Sequence, residues 1–121
     1  MGHLSKKALD GNVETIILSE LMAGASYGYA LVKQINRKHE GLLALGEGTI
    51  YPVLYRMEDK GLLSSEVRKT SSGRDRKYYR VSAKGKRALA ENLKQWDALS
   101  EVMGKIREGV TGAAAPQTGT A

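Results

Sequence analysis

Between Leu89 and Val110, apolar residues return at an average spacing of 3.5: Leu89, Leu93, Trp96, Leu99, Met103, Ile106 and Val110. That is the spacing of a coiled-coil seam. Ser82 can cap the helix that carries it, and a run from there to about Gly109 measures about 40 Å at 1.5 Å per residue. The whole chain has 121 residues, one domain's worth. A helix of that length outruns the core that the remaining residues can build. Its distal half needs another partner for its apolar stripe.

Upstream, the hydrophobic period is helical three times and then changes. Val13, Ile16, Ile17, Leu21 and Met22 recur at helical spacing behind a capping signal at Asp10–Asn12, and Gly24 ends that run. Ser26 can cap a second helix, Tyr27 to about His39, with Leu31, Val32 and Ile35 inward. His39 at its end complements the helix dipole, and Gly41 closes it. Leu42 to Leu45 reads as a small strand or a turn. A third helix begins around Gly46–Thr49 and stops at Gly61. At 100° per residue, Ile50, Val53, Leu54 and Met57 share one arc. The opposite arc holds Gly48, Thr49, Pro52, Tyr55, Arg56 and Asp59, with Tyr51 on its flank. Pro52 fits in or near the first turn, where backbone N–H groups lack helical partners.

After Gly61 the period falls to two. Leu63, Ser65 and Val67 alternate with polar neighbours, Thr70-Ser71-Ser72-Gly73 is turn chemistry, and Arg76 to Val81 reads as a return strand. Tyr78 and Tyr79 fall on opposite faces, so one belongs to the core. The order is helix, helix, helix, hairpin, long helix: mainly α with a small β-hairpin. It is the layout of a winged helix-turn-helix, in which the third helix enters the DNA major groove and the hairpin reaches the backbone or minor groove.

The charge follows that layout. Nineteen Lys and Arg stand against thirteen Asp and Glu, a net charge of +6, and residues 46–88 alone carry eleven basic and five acidic groups. Positive charge concentrated on the third helix and hairpin points to a polyanion partner. Cysteine is absent and only His3 and His39 are present, which removes thiolate chemistry, cysteine–zinc sites and histidine-rich metal centres. No cofactor is expected. Gly46-Glu47-Gly48 lacks the third glycine and the strand context of a dinucleotide site. Glu58 and Asp59 point about 100° apart and do not converge for acid–base work. With no nucleophile–base pair, the chain does not read as an enzyme. No apolar run approaches a membrane span and Met1–Lys7 has no apolar leader, so the expected location is the cytoplasm.

Four segments carry a resemblance to a known family. Gly28-Tyr29-Ala30-Leu31-Val32-Lys33 resembles its second-helix signature. Glu47-Gly48-Thr49-Ile50-Tyr51-Pro52-Val53-Leu54-Tyr55-Arg56-Met57-Glu58 resembles its recognition helix. Gly61-Leu62-Leu63 and Gly73-Arg74-Asp75-Arg76-Lys77-Tyr78-Tyr79-Arg80-Val81-Ser82 resemble its wing. The family is the PadR-like transcriptional regulators, and the single helix after the wing is similar to its short subgroup. The resemblance spans roughly residues 10–110. It implies a homodimeric DNA-binding repressor with a winged domain over 1–88 (wing about 62–81) and a dimerisation helix over 89–110 that packs on its mate and on the first helix of the second copy. Residues 111–121, rich in Gly, Ala and Thr with one proline, have no apolar periodicity and read as a mobile tail; neither they nor Met1–Leu9 have a clear family counterpart.

The DNA-facing set is then Tyr29, Lys33, Gly48, Thr49, Tyr51, Pro52, Tyr55, Arg56, Gly73, Arg74, Arg76 and Lys77, with double-stranded DNA as partner. Members of the family commonly control detoxification or multidrug-efflux genes and respond to small aromatic compounds. In some small members a tryptophan of the last helix lines a flat slot between subunits. Trp96 stands on the matching helix, which makes Leu89, Leu93, Trp96, Leu99, Met103 and Ile106 the expected dimer and effector surface, with a planar aromatic molecule as the expected guest. Two other readings remain open from the residues: a winged-helix adaptor that binds protein, and an architectural protein that binds all duplexes alike.

Overall fold

The computed structural model describes residues 4–114. The chain divides into two compact units, Met1–Leu89 and Ala90–Ala121. In chain order the elements are α1 (Lys6–Leu9), α2 (Val13–Leu21), β1 (Ser26–Tyr27), α3 (Gly28–Lys38), α4 (Glu47–Asp59), β2 (Leu63–Lys69), β3 (Asp75–Val81) and α5 (Ala83–Ala114). The three strands form one antiparallel sheet in the order β1-β3-β2. The fold is mainly helical, as the periods require, and the expected hairpin is enlarged by the two-residue strand β1.

The core of the first unit is built from the inward stripes of α2, α3 and α4, closed by Leu43, Leu45, Leu62, Leu63 and Tyr79. On α4 the four buried residues are Ile50, Val53, Leu54 and Met57, the arc expected from the period. The β2–β3 register places Leu63, Ser65 and Val67 opposite Val81, Tyr79 and Lys77 on one face. The other face pairs Ser64, Glu66 and Arg68 with Arg80, Tyr78 and Arg76. Tyr79 is therefore the core tyrosine, at 2% exposure, and Tyr78 lies outward.

Several local expectations are corrected. Ser26 does not cap α3: it pairs with Tyr79 in β1, and Tyr27 takes the cap position without a side-chain bond. Strand pairing has outcompeted the local capping signal. Asn12 occupies the start of α2, but its amide turns back to the Ala8 carbonyl at 3.4 Å because a short helix, α1, precedes it. That helix is capped by Ser5 and seats Leu9 in the core. Leu18 is fully buried, whereas Met22 lies past the end of α2 and is exposed. Residues 42–45 form neither strand nor helix. The Asn36 amide holds them, donating to the Leu45 carbonyl at 2.6 Å and accepting from the Leu45 N–H at 2.8 Å. Pro52 is the sixth residue of α4, just past its first turn, so the Gly48 carbonyl lacks its helical donor.

Helix α5 starts as expected. The Ser82 hydroxyl accepts from the Gly85 N–H at 3.0 Å and donates to the Gly61 carbonyl at 2.6 Å. It runs to Ala114, beyond the expected stop near Gly109, passing Gly104, Gly109 and Gly112. A glycine inside a helix costs about 1 kcal/mol relative to alanine, which weakens a helix without ending it. Residues 111–114 of the expected tail are thus helical, and 115–121 lie outside the described residues. Gly85 itself has a packing reason: a Cβ there would run into the Leu62 carbonyl oxygen and lie 2.8 Å from Val81 Cγ1. Gly85→Ala is expected to destabilise the first unit by about 1–3 kcal/mol, the cost of overpacking, seen as a lower urea midpoint with an unchanged slope.

Candidate nucleic-acid interface

Because α4 spends its apolar arc on the core, the opposite arc is left outside. Gly48, Pro52, Tyr55, Arg56 and Asp59 are exposed, with Thr49 and Tyr51 half-buried on the two flanks. Beside this ridge lies the start of α3. Gly28 is buried there, and a Cβ on it would come within 2.6 Å of Tyr51 Cζ and 2.7 Å of its hydroxyl oxygen. The missing side chain at position 28 leaves the room that the Tyr51 ring occupies beside the start of α3. Burial raises the Tyr51 hydroxyl pKa, with Glu47 and Tyr55 adding to the effect. One turn along, Tyr55 is 52% exposed, its ring 6.3 Å from that of Tyr51. On α3, Tyr29 is exposed and the Lys33 ammonium sits 5.1 Å from its ring centre.

The hairpin forms the third side. Its turn is closed by Gly73, at φ +85°, with its N–H bonded to the Thr70 carbonyl. The Arg74 carbonyl accepts from both the Thr70 N–H and hydroxyl, at 3.0 and 2.9 Å, and leaves the Arg74 side chain exposed. Ridge, helix start and hairpin enclose one cleft of about 540 Å³. It brings together Tyr29, Tyr51, Tyr55, Arg74, Arg76 and Lys77 from the expected set, along with Tyr27, Gly28, Asp75 and Tyr79. Thr49 and Arg56 are not in it. They border a second cleft of about 700 Å³, shared with Lys6, Asp10, Glu14 and Lys60.

The sheet's outer face orders two of the wing arginines. Arg68 and Arg76 stand directly opposite each other. Like charges so placed repel, and each guanidinium instead lies on a tyrosine: Arg76 at 4.3 Å over Tyr27, Arg68 at 4.4 Å over Tyr78. The two tyrosines meet edge-to-face at 5.2 Å. Glu66 bonds Arg68 at 2.6 Å and Arg80 at 3.1 Å, and these partners, Arg68 first, lower its pKa. A stacked guanidinium keeps its in-plane N–H groups for an anion. Tyr27 and Arg68 are absent from the expected set. The two-residue period marks Arg76 and Tyr78 as neighbours on one face, but nothing local announces that Tyr27 lies beside them.

Lys77 is engaged within the chain. Its ammonium lies 2.8 Å from Glu58 Oε1. The apolar stripe of the last helix divides between the units. Leu89 is half-buried against the first unit's core, whereas Leu93, Trp96, Leu99, Met103 and Ile106 are 46–57% exposed. Among the described residues no helix is long and apolar enough to cross a membrane.

Known proteins share this fold. The family model described as "Transcriptional regulator PadR-like family" matches residues 17–91. A PadR-family transcriptional regulator from Eggerthella lenta is 37% identical, with TM-score 0.75 over 84% of this chain and 87% of that one. A transcriptional regulator from Clostridium thermocellum is 32% identical, with TM-score 0.76 over 83% of this chain and 97% of that one. PadR of Bacillus subtilis, solved in complex with operator DNA, shares the fold at 22% identity, with TM-score 0.63 over 67% of this chain and 45% of that one.

Proposed function

We propose that this chain, which belongs to the PadR-like family of transcriptional regulators, is a cytoplasmic repressor that binds operator DNA as a homodimer. The observation that carries the reading is the cleft in which the exposed side of α4, the start of α3 and the hairpin cations converge. Tyr55 and Arg56, with Gly48, Thr49 and Pro52, face the major groove and read base edges. Arg74 and Arg76, with Gly73 bringing the turn close, take phosphates, and Tyr29, Tyr51 and Lys33 support the approach of α3. The match of this fold to a PadR whose structure contains operator DNA supports the assignment. The exposed stripe from Leu93 to Ile106 supports the dimer, with residues 89–110 as its seam and two half-sites about 10 bp or a multiple of that apart.

Selection of duplexes from a randomised pool tests this reading. The expected product is a two-fold symmetric site whose binding weakens steeply with salt. Enrichment of no duplex would mark a protein-binding adaptor, and equal binding of all duplexes an architectural protein.

The proposal extends to sensing. Trp96 is the chain's one tryptophan and is 54% exposed on the seam. A pair of such indoles facing across a dimer accepts a planar aromatic guest by stacking. Such compounds are expected to quench the tryptophan emission at tens of micromolar and to weaken DNA binding, and Trp96→Ala is expected to abolish their effect on DNA binding while leaving that binding itself in place. A response that survives the substitution would remove Trp96 from the sensing site.

A further inference from the structure

Five side chains from three elements meet at the wall of the cleft. Glu58, in the last turn of α4, takes the Lys77 ammonium of β3 on Oε1 at 2.8 Å. On Oε2 it accepts the Ser65 hydroxyl of β2 at 2.6 Å. The same ammonium lies 5.7 Å from the ring centre of Tyr55 on α4 and 5.3 Å from that of the core residue Tyr79. Both strands of the hairpin thus grip one carboxylate of α4, and the cation between them touches an exposed aromatic of the ridge. Ser65 pairs with Tyr79 in the ladder, so the grip is continuous with the core. Glu58 is held charged by Lys77 first and Ser65 second, which lower its pKa, and Lys77 is raised in turn by Glu58.

We infer that Glu58, Lys77 and Ser65 form a latch that fixes the angle between the hairpin and α4, and so positions the two DNA-reading surfaces relative to each other. The inference rests on the operator-binding reading above and revises the sequence expectation for Lys77. Lys77 belongs to the cationic run of the hairpin by sequence, but it is a positioning residue acting through Glu58 and Tyr55, not a phosphate ligand. The hairpin's grip on phosphates then falls to Arg74 and Arg76. Glu58, an acid close to a polyanion surface, has a positive role in binding.

The two roles predict opposite signs for Glu58→Gln and different salt slopes for Lys77→Met. If Lys77 met a phosphate, Lys77→Met would weaken DNA binding and flatten its salt slope by about one unit, while Glu58→Gln, which removes a negative charge, would tighten binding. The latch predicts that both substitutions weaken binding, by about two- to fivefold, the scale of an exposed ion pair. The salt slope stays unchanged, and the double variant is no weaker than either single one. The loss falls on the duplex that the protein itself enriches from a random pool, and a scrambled duplex is bound as before. Without DNA, amide exchange in β2 and β3 rises in both variants.

Ser65→Ala, which removes only a hydroxyl, gives the same direction with no change in charge, and stands as the measurement if either charge substitution unfolds the chain. Tighter binding by Glu58→Gln, or a slope lowered by Lys77→Met, overturns the latch while leaving operator binding intact. An unaltered protein that enriches no duplex overturns the regulator reading instead. In that case raised exchange in both variants still establishes the latch as a structural tie, and unchanged exchange removes it.

Discussion

The double substitution Leu93→Asp, Met103→Asp is expected to sediment as a monomer at micromolar concentration, where the unaltered chain is expected to sediment as a dimer. The two residues stand ten apart on one stripe of α5 and are 46% and 54% exposed in the single chain. Leucine and methionine left so open at regular spacing bury their area on a partner helix. An aspartate at either position would face that partner without a counter-ion, and an uncompensated buried charge costs about 3–5 kcal/mol. Two such positions in each subunit exceed what a seam of this length supplies. Operator affinity is expected to fall by about a hundredfold or more, because two half-sites bound independently lose the gain of linkage. The first unit's core lies outside the altered segment, so its cooperative unfolding persists. A variant that sediments with the unaltered protein would place the interface elsewhere.

The second large effect concerns the hairpin. Arg74→Ala with Arg76→Ala is expected to weaken binding to every duplex alike, about tenfold or more at moderate salt. The salt slope is expected to flatten by about one unit for each phosphate that the variant no longer neutralises. Arg74 is exposed at the tip, its backbone held by Thr70. Arg76 is pre-oriented by Tyr27 at 4.3 Å, so little side-chain entropy remains to be given up on binding. A change at Tyr55 or Arg56 is expected to alter which sequences are preferred and to leave the slope in place. Unchanged affinity and slope in the double arginine variant would exclude the hairpin from the interface.

Which features were legible in the residues follows from how each is encoded. The two faces of α4 are written in a period of 3.6, and both emerge in the fold: Ile50, Val53, Leu54 and Met57 inside, Pro52, Tyr55 and Arg56 outside. The hairpin is written in a period of two with a glycine turn, and the opposition of Tyr78 and Tyr79 follows from the same period. The apolar stripe from Leu89 to Val110 is likewise a local repeat. These depend on spacing along one segment, which a sequence states directly.

Tertiary structure decided what depends on segments meeting. Whether Tyr78 or Tyr79 entered the core was settled by docking of the sheet on the helices. Ser26 is as good a cap as many, and only pairing with Tyr79 made it a strand residue. The need for glycine at position 28 comes from a tyrosine twenty-three residues later, and at position 85 from a carbonyl at position 62. Lys77 reads as one more surface cation until α4 brings Glu58 to it across nineteen residues of chain. The physical reason is common to these cases. A face is a property of one element's own repeat, whereas a partner is fixed only when hydrophobic burial has brought two elements together, and no local spacing records which side chain will stand opposite.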